Sequence, residues 1–410
     1  MQSQYLPAEL LDNIVDLLYD TRDALESCCL VSKSWVPRTR KHLFAHVALD
    51  SPAKLQSWKT TFQDPSTSPA RYTRSLFIKF PRTITPADAE EGGWIPTFSR
   101  VVSLAMNIHG MGAYESLVLF HGFSPVIRSL RITSTSVASS HTLGFICSFP
   151  LLEDISMVAW FVETNQETTD EQPTSFQHSK PPALTGSLEL SFVMGMNLIA
   201  SGLLSLRSGL HFRRLNLAWS SDEDISLTEA LVERCRYTLE YLRIGFGPIG
   251  KSFRQSRACT NGLLPPAAKP LPRSIDLSKA TKLREVAFPC ESSPQWVTKT
   301  LQTVSRDHRK LQQISLDATH ALRAVNSDRF IPADPTRAIG EAAYQEWLEL
   351  DRSIARLWEP HSIRLKAEHD AATFGNEMEV KDEARKCLEC LLPEVTDRGI
   401  VDLVKRKSQW

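Results

Sequence analysis

A short phrase recurs through the middle of this chain, and its spacing constrains the fold more than any other feature. The copies read Ser75-Leu76-Phe77-Ile78, Ser103-Leu104-Ala105-Met106, Ser129-Leu130-Arg131-Ile132 and Asp154-Ile155-Ser156-Met157. They continue as Ser187-Leu188-Glu189-Leu190, Arg214-Leu215-Asn216-Leu217, Tyr241-Leu242-Arg243-Ile244, Glu285-Val286-Ala287-Phe288 and Gln313-Ile314-Ser315-Leu316. The leading apolar residues stand 28, 26, 25, 33, 27, 27, 44 and 28 positions apart. In each copy two apolar residues flank a mostly polar one, the period of a half-buried strand. A further apolar residue often precedes by three positions: Val101, Ile127, Leu152, Phe212, Leu239, Leu283 and Leu311. Helical periodicity fills the intervals at Tyr114–Phe120, Leu143–Phe149, Asn197–Leu206, Ile225–Tyr237 and Gln295–Val304. A strand with a returning helix buries its apolar faces only when such units stack. The fold class expected is therefore an α/β repeat over residues 71–320. A doubly wound α/β sheet competes with it, because strand–helix alternation alone does not separate the two.

The L-x-x-L-x-L phrase at this spacing resembles the leucine-rich repeat, in the irregular form common among fungal F-box proteins. The match is loose, since the usual asparagine after the strand is absent from most copies. Two stretches interrupt the period, 163–182 and 251–273. Both are polar or proline-flanked without periodicity and read as long surface loops. The resemblance implies a solenoid whose inner face carries the residues between and just after the strand apolars. Arg131, Asn216, Trp219 and Arg243 are the candidates there for holding a protein substrate, with Trp160 and Phe161 nearby, because aromatics and arginine are the usual anchors of protein partners. After Asp317 the phrase stops. Residues 337–410 form a charged helical C-terminal cap in this reading: helices at about 337–359 ended by Pro360, at 377–392, and from Arg398 to Lys407.

The first 46 residues differ in kind. Pro7 opens a helix in the first turn, where its missing N–H costs nothing, and Glu9 suits the positive helix end. Leu10, Leu11, Ile14, Val15, Leu17 and Leu18 follow at helical spacing as one apolar stripe. A second helix carries Leu25, Cys28, Cys29 and Val31, with Trp35 at its end. So short a unit does not bury a core comfortably by itself, and an open apolar face awaits a partner. Leu6-Pro7 with Glu9-Leu10-Leu11, Ile14 and Leu17, then Leu30-Val31-Ser32-Lys33-Ser34-Trp35 and Leu43-Phe44, resemble the F-box over residues 4–46. That family docks substrate receptors onto the Skp-type adaptor of cullin–RING ubiquitin ligases. The resemblance implies adaptor contacts at Leu6, Pro7, Leu10, Leu11, Ile14, Leu30, Val31 and Trp35, a linker at 47–70, and cullin as a partner through the adaptor. The function implied is a non-enzymatic substrate receptor, with a repeat scaffold lacking any degradation role as the alternative.

Composition agrees with an intracellular chain, cytoplasmic or nuclear. Forty-seven acidic and 47 basic residues cancel, so nothing global points to nucleic acid or an anionic membrane. No apolar run approaches the ~20 residues of a membrane span. Glu9, Asp12 and Asp16 stand where a secretory signal would need a basic, then apolar, start. The eight cysteines are scattered and expected as free thiols. Cys387 and Cys390 form the one C-x-x-C, with no second pair to complete a metal site. No phosphate-cradling or nucleophile-elbow motif is present, and Asp307-His308 and His369-Asp370 are sequence neighbours that point about 100° apart on a helix. No cofactor, metal or catalytic residue is expected.

Overall fold

A computed structural model describes residues 7–64, 66–80, 95, 97–108, 117, 120, 123–162, 182, 184–191, 196–206, 209–219, 223–246, 274–290, 294–305, 307–317, 340–361, 364–369, 385–386, 388–398 and 401–405. The chain divides into two compact units, one of Met1–Leu184 with Ser205–Ser208, the other of Thr185–Leu204 with Gly209–Trp410. Both are α/β, with parallel strands.

The first unit begins with three helices, α1 (Ala8–Leu17), α2 (Arg22–Val31) and α3 (Val36–Leu43). Strands β1 (His46–Leu49), β2 (Ser75–Phe80), β3 (Ser103–Ile108), β4 (Ser129–Ala138) and β5 (Asp154–Val162) then pair in chain order. Helix α4 (Pro52–Thr61) returns the chain from β1 to β2, and α5 (Ser139–Cys147) from β4 to β5. Ser51 caps α4 by accepting the Lys54 N–H, and Pro52 takes the first turn, where no N–H is needed. The second unit holds β6 (Ser187–Leu190), α6 (Met196–Leu204), β7 (Arg214–Trp219), α7 (Glu223–Cys235), β8 (Tyr241–Phe246), β9 (Glu285–Pro289), α8 (Gln295–Gln302), β10 (Gln313–Asp317), α9 (Glu341–His361), β11 (Arg364–His369), α10 (Pro393–Asp397) and β12 (Val401–Lys405). Its strands also pair in chain order. Neither unit reverses its strand order, so neither has the switch point of a doubly wound sheet.

All nine copies of the phrase are strands, and within each unit they align on one another. Leu76, Leu104, Leu130 and Ile155 stand opposite each other in the first unit. Leu188, Leu215, Leu242, Val286, Ile314 and Leu365 do so in the second. The nine phrase residues in these two rows are fully buried or nearly so, as are the seven apolar residues three positions earlier. Rings complete the first core: Trp58 packs on Phe62 and Phe98 at 4.7 and 5.3 Å between centroids, and Phe120 on Phe123 at 5.2 Å. Such pairs add about 0.5–1.5 kcal/mol each beyond the area they bury.

A second regularity lies in the main chain. One carbonyl just ahead of each of eight strands, β1–β4 and β6–β9, accepts two consecutive N–H groups of the following strand's approach. Ala45 O receives Arg74 and Ser75 at 2.8 and 3.0 Å; Arg74 O receives Val102 and Ser103 at 2.8 and 3.0 Å. Val102 O and Arg128 O continue the series in the first unit, and Gly186, Arg213, Glu240 and Arg284 carry it in the second. The long step from β8 to β9 does not disturb it: Arg284 and Glu285 both donate to Glu240 O, at 2.7 and 3.2 Å.

The structure corrects four expectations. The linker at 47–70 holds the rest of β1, whose Val47 and Leu49 are buried, and α4 with a 3-10 turn at Pro69–Tyr72. The strand succession does not stop at Asp317, because β11 and β12 extend it within the presumed helical cap. The helix expected from Arg398 to Lys407 is strand β12: Leu365, Ala367 and His369 of β11 offer partners to Val401, Leu403 and Lys405, which an isolated helix would lack. The helix expected near 377–392 is helical at 385, 386 and 388–391 among the described residues, in agreement with that reading, and Pro393 then starts α10. Pro360 lies in the last turn of α9 and does not end it; there a proline forgoes only one hydrogen bond. The stretches 163–181 and 251–273 lie outside the described residues, as does most of the expected helix Tyr114–Phe120.

Candidate functional site

Three helices make the N-terminal module. Pro7 O accepts the Leu10 and Leu11 N–H groups at 3.0 and 3.2 Å and starts α1. Thr39 of α3 is buried and donates its hydroxyl to Trp35 O at 2.7 Å. Asp16 of α1 ties the module together, accepting from the Arg38 guanidinium through both carboxylate oxygens and lying 2.6 Å from the His42 ring. The Arg38 guanidinium, and after it His42, hold the Asp16 carboxyl well below the usual carboxylate range. Both partners come from α3, so this cluster fixes α1 on α3.

With α1 so held, its apolar residues separate into two faces. Val15 is buried and Leu11 and Leu18 are half-buried. Leu10, Ile14 and Leu17 point outward, 49%, 42% and 79% exposed. Their spacing, i, i+4 and i+7, is that of one helix face. Tyr19 follows at 68%, and Leu30 and Val31 at the end of α2 at 89% and 68%. Among the described residues only Leu151 and Tyr237 are comparably exposed large apolar side chains outside this module. Scattered apolar residues are normal on a surface, but six of these eight fall within residues 10–31.

Of the residues expected to meet an adaptor, Pro7, Leu10, Ile14, Leu30 and Val31 are exposed. Leu11 and Trp35 are half-buried and serve the module's own packing, and Leu6 lies outside the described residues. Leu17, part of the F-box-like stretch but not among the expected contacts, and Tyr19 are exposed as well. The i, i+4, i+7 spacing of Leu10, Ile14 and Leu17, read apart from that of Leu11, Val15 and Leu18, places Leu17 with the outward set.

No protein-family model matches this chain, and no curated protein matches it.

The outward face of the strands is the second candidate surface. Arg131 stands exposed on β4, in the first unit. Asn216 and Arg243 are opposite one another on β7 and β8 in the second unit, both half-buried, and the Asn216 amide donates to Glu189 at 3.2 Å. Trp219 ends β7 opposite Phe246. The side chains of Trp160, Phe161 and Trp219 lie outside the described residues. Beside this row, Glu285 accepts from Gln313 at 2.8 Å.

The groups that might have carried chemistry are engaged structurally. His308 is buried; its Nδ1 accepts the Ser305 N–H at 3.1 Å and its Nε2 donates to Leu277 O at 2.8 Å. The six described cysteines are free thiols. Burial pushes the Cys235 thiol up to about 12 and raises Cys147, Cys290 and Cys390 as well, so these stay protonated at neutral pH. Among the described residues no three His, Cys, Asp or Glu side chains are grouped to hold a metal ion. No helix among them is long and apolar enough to cross a membrane.

Proposed function

We propose that this chain is a substrate-recognition adaptor of an SCF-type ubiquitin ligase, working inside the cell. In this reading α1 and α2 dock onto a Skp-type adaptor, and through it onto a cullin. The outward face of an irregular leucine-rich-repeat solenoid holds a protein substrate for ubiquitination. The receptor itself supplies no bond-making group; it raises the effective concentration of substrate near a conjugating enzyme. The observation that carries the reading is the concentration of exposed apolar side chains at Leu10, Ile14, Leu17, Tyr19, Leu30 and Val31. It supports the resemblance of residues 4–46 to the F-box from an independent side, because a face of that kind is costly to leave in water.

Co-elution with a purified Skp-type adaptor on a sizing column tests it, beside Leu6→Ala/Pro7→Ala and Ile14→Asp/Leu30→Asp. A one-to-one complex that both double variants lose is the expected result. A folded chain that forms no complex overturns the docking reading and leaves a repeat scaffold.

A further inference from the structure

We propose that the edge of the first unit where the chain enters β2–β5 binds a partner protein through a segment that carries carboxylates beside an apolar side chain. Each of these strands is entered through a turn closed by one main-chain bond. The N–H groups of Thr73, Val101, Ile127 and Leu152 donate to the carbonyls of Ala70, Phe98, Ser124 and Phe149, at 3.0, 3.4, 3.3 and 3.2 Å. Those turn ends are all buried, whereas the central pairs are not: Arg71-Tyr72, Ser99-Arg100, Pro125-Val126 and Pro150-Leu151. Buried ends hold each centre at the surface without help from a ligand. Neighbouring turns are tied as well, since the Ser124 hydroxyl lies 3.2 Å from Ser99 O and 3.1 Å from Val101 O. Strands stand about 4.8 Å apart, so the four turns span about 14 Å, the length of about four residues of extended chain.

The edge has two halves. On the approaches to β2 and β3, Arg71, Arg74 and Arg100 are exposed. Arg74 and Arg100 meet no carboxylate among the described residues, and Arg71 lies over the Tyr72 ring at 4.9 Å and donates to its hydroxyl at 3.0 Å. On the approaches to β4 and β5, Pro125, Pro150 and Leu151 are exposed. Leu151, at 46%, is the one large apolar side chain so exposed among the described residues of the first unit outside the N-terminal module. Between the turns and the strands stands one carboxylate, Glu153, held by Arg128 at 2.6 Å. Asp154, which opens β5, has partners of its own.

Charge and apolarity together select the occupant. Carboxylates match the guanidinium forks of Arg74 and Arg100, and an apolar side chain further along the same segment covers Leu151. A free anion would leave Leu151 in water. A nucleic acid stacks its bases on open aromatic rings, and the one ring at these turn centres, Tyr72, is overlain by Arg71. An anionic membrane would meet Glu153 beside the single apolar side chain able to enter it. All four cations of the edge are arginine, the cation enriched at protein interfaces, where lysine is depleted.

Fluorescence anisotropy with the intact chain tests this, using a labelled peptide of leucines followed by glutamates, its glutamine counterpart and a labelled oligothymidylate. Sedimentation with vesicles containing phosphatidylserine runs alongside. The glutamate peptide should bind about tenfold more tightly than the glutamine one and weaken steeply with added salt. Arg74→Glu/Arg100→Glu should abolish binding and Leu151→Ser should weaken it several-fold, while Lys299→Glu, on α8, should leave it unchanged. All three should melt with the parent, because these side chains are exposed. No binding of the glutamate peptide, equal binding of the glutamine peptide, or binding that survives Arg74→Glu/Arg100→Glu overturns the proposal. Oligothymidylate or vesicles bound more tightly than the peptide, and lost in Arg74→Glu/Arg100→Glu, overturn it in favour of a nucleic acid or a membrane. Adaptor docking is untouched by any of these outcomes.

Discussion

Asp16 shows what a single side chain decides here. Its carboxylate is shared by Arg38 and His42, both from α3, and the outward set of Leu10, Ile14 and Leu17 follows from that anchorage. An aspartate in an unfolded chain titrates near 3.9. The folded value is lower, so the stability Asp16 contributes is whole above about pH 4 and is lost as the pH falls through the depressed folded value. Urea melts from pH 7 downward should therefore show a shallower acid loss in Asp16→Asn than in the parent chain. At pH 7 the substitution should cost about 1 kcal/mol, since the cluster is about a third exposed and solvent screens it. Trp347 gives a different test. It is fully buried on α9, and its indole N–H finds no acceptor among the described residues. Trp347→Phe gives up no hydrogen bond and should cost about 1–2 kcal/mol from lost volume, against about 3–5 kcal/mol for Trp347→Ala in chemical denaturation. At this scale the sequence showed which residues were apolar but not which way they faced. The division of Leu10 from Leu11 depends on where α3 lies.

At the scale of elements, α10 depends on a residue far away in sequence. Asp351 of α9 accepts the Glu394 and Val395 N–H groups at 2.9 and 3.0 Å, satisfying the start of a helix that has no side-chain cap of its own. Burial raises the Asp351 carboxyl, and those two N–H groups oppose the rise without cancelling it. The sign is opposite to that of Asp16: the protonated form is favoured, and its contribution declines as the pH rises through the folded value. Asp351→Ala orphans both donors and should cost about 1–2 kcal/mol, with hydrogen exchange across α10 the first to accelerate; Asp351→Asn keeps an acceptor and should lose less. The nine phrases were legible as strands because each has two apolar residues that only a sheet with a covered face could bury. β11 escaped because Lys366 and Glu368 leave it one strong apolar residue, Leu365. β12 escaped because Val401, Leu403 and Val404 fit both the strand and the helix period, and only pairing with β11 decides between them.

The molecule as a whole carries balanced charge, so its surface offers little long-range repulsion to keep copies apart. The exposed apolar side chains of α1 and α2 should then make the isolated chain self-associate at high concentration. Light scattering should show this reduced in Leu17→Ser/Leu30→Ser, with a melting temperature close to the parent's, because both side chains are mostly in water already. That outcome would separate surface from core, since removing a buried apolar residue lowers stability without relieving association. The carbonyl series ahead of the strands has a consequence of another kind. Ala45, Arg74, Val102 and Arg128 occupy the same place in it, as do Gly186, Arg213, Glu240 and Arg284. A spacing held by peptide groups is indifferent to the side chain that hangs from them. Such a chain can rewrite most of its outward text and keep its ruled lines, so kinship would fade from the letters long before it fades from the page.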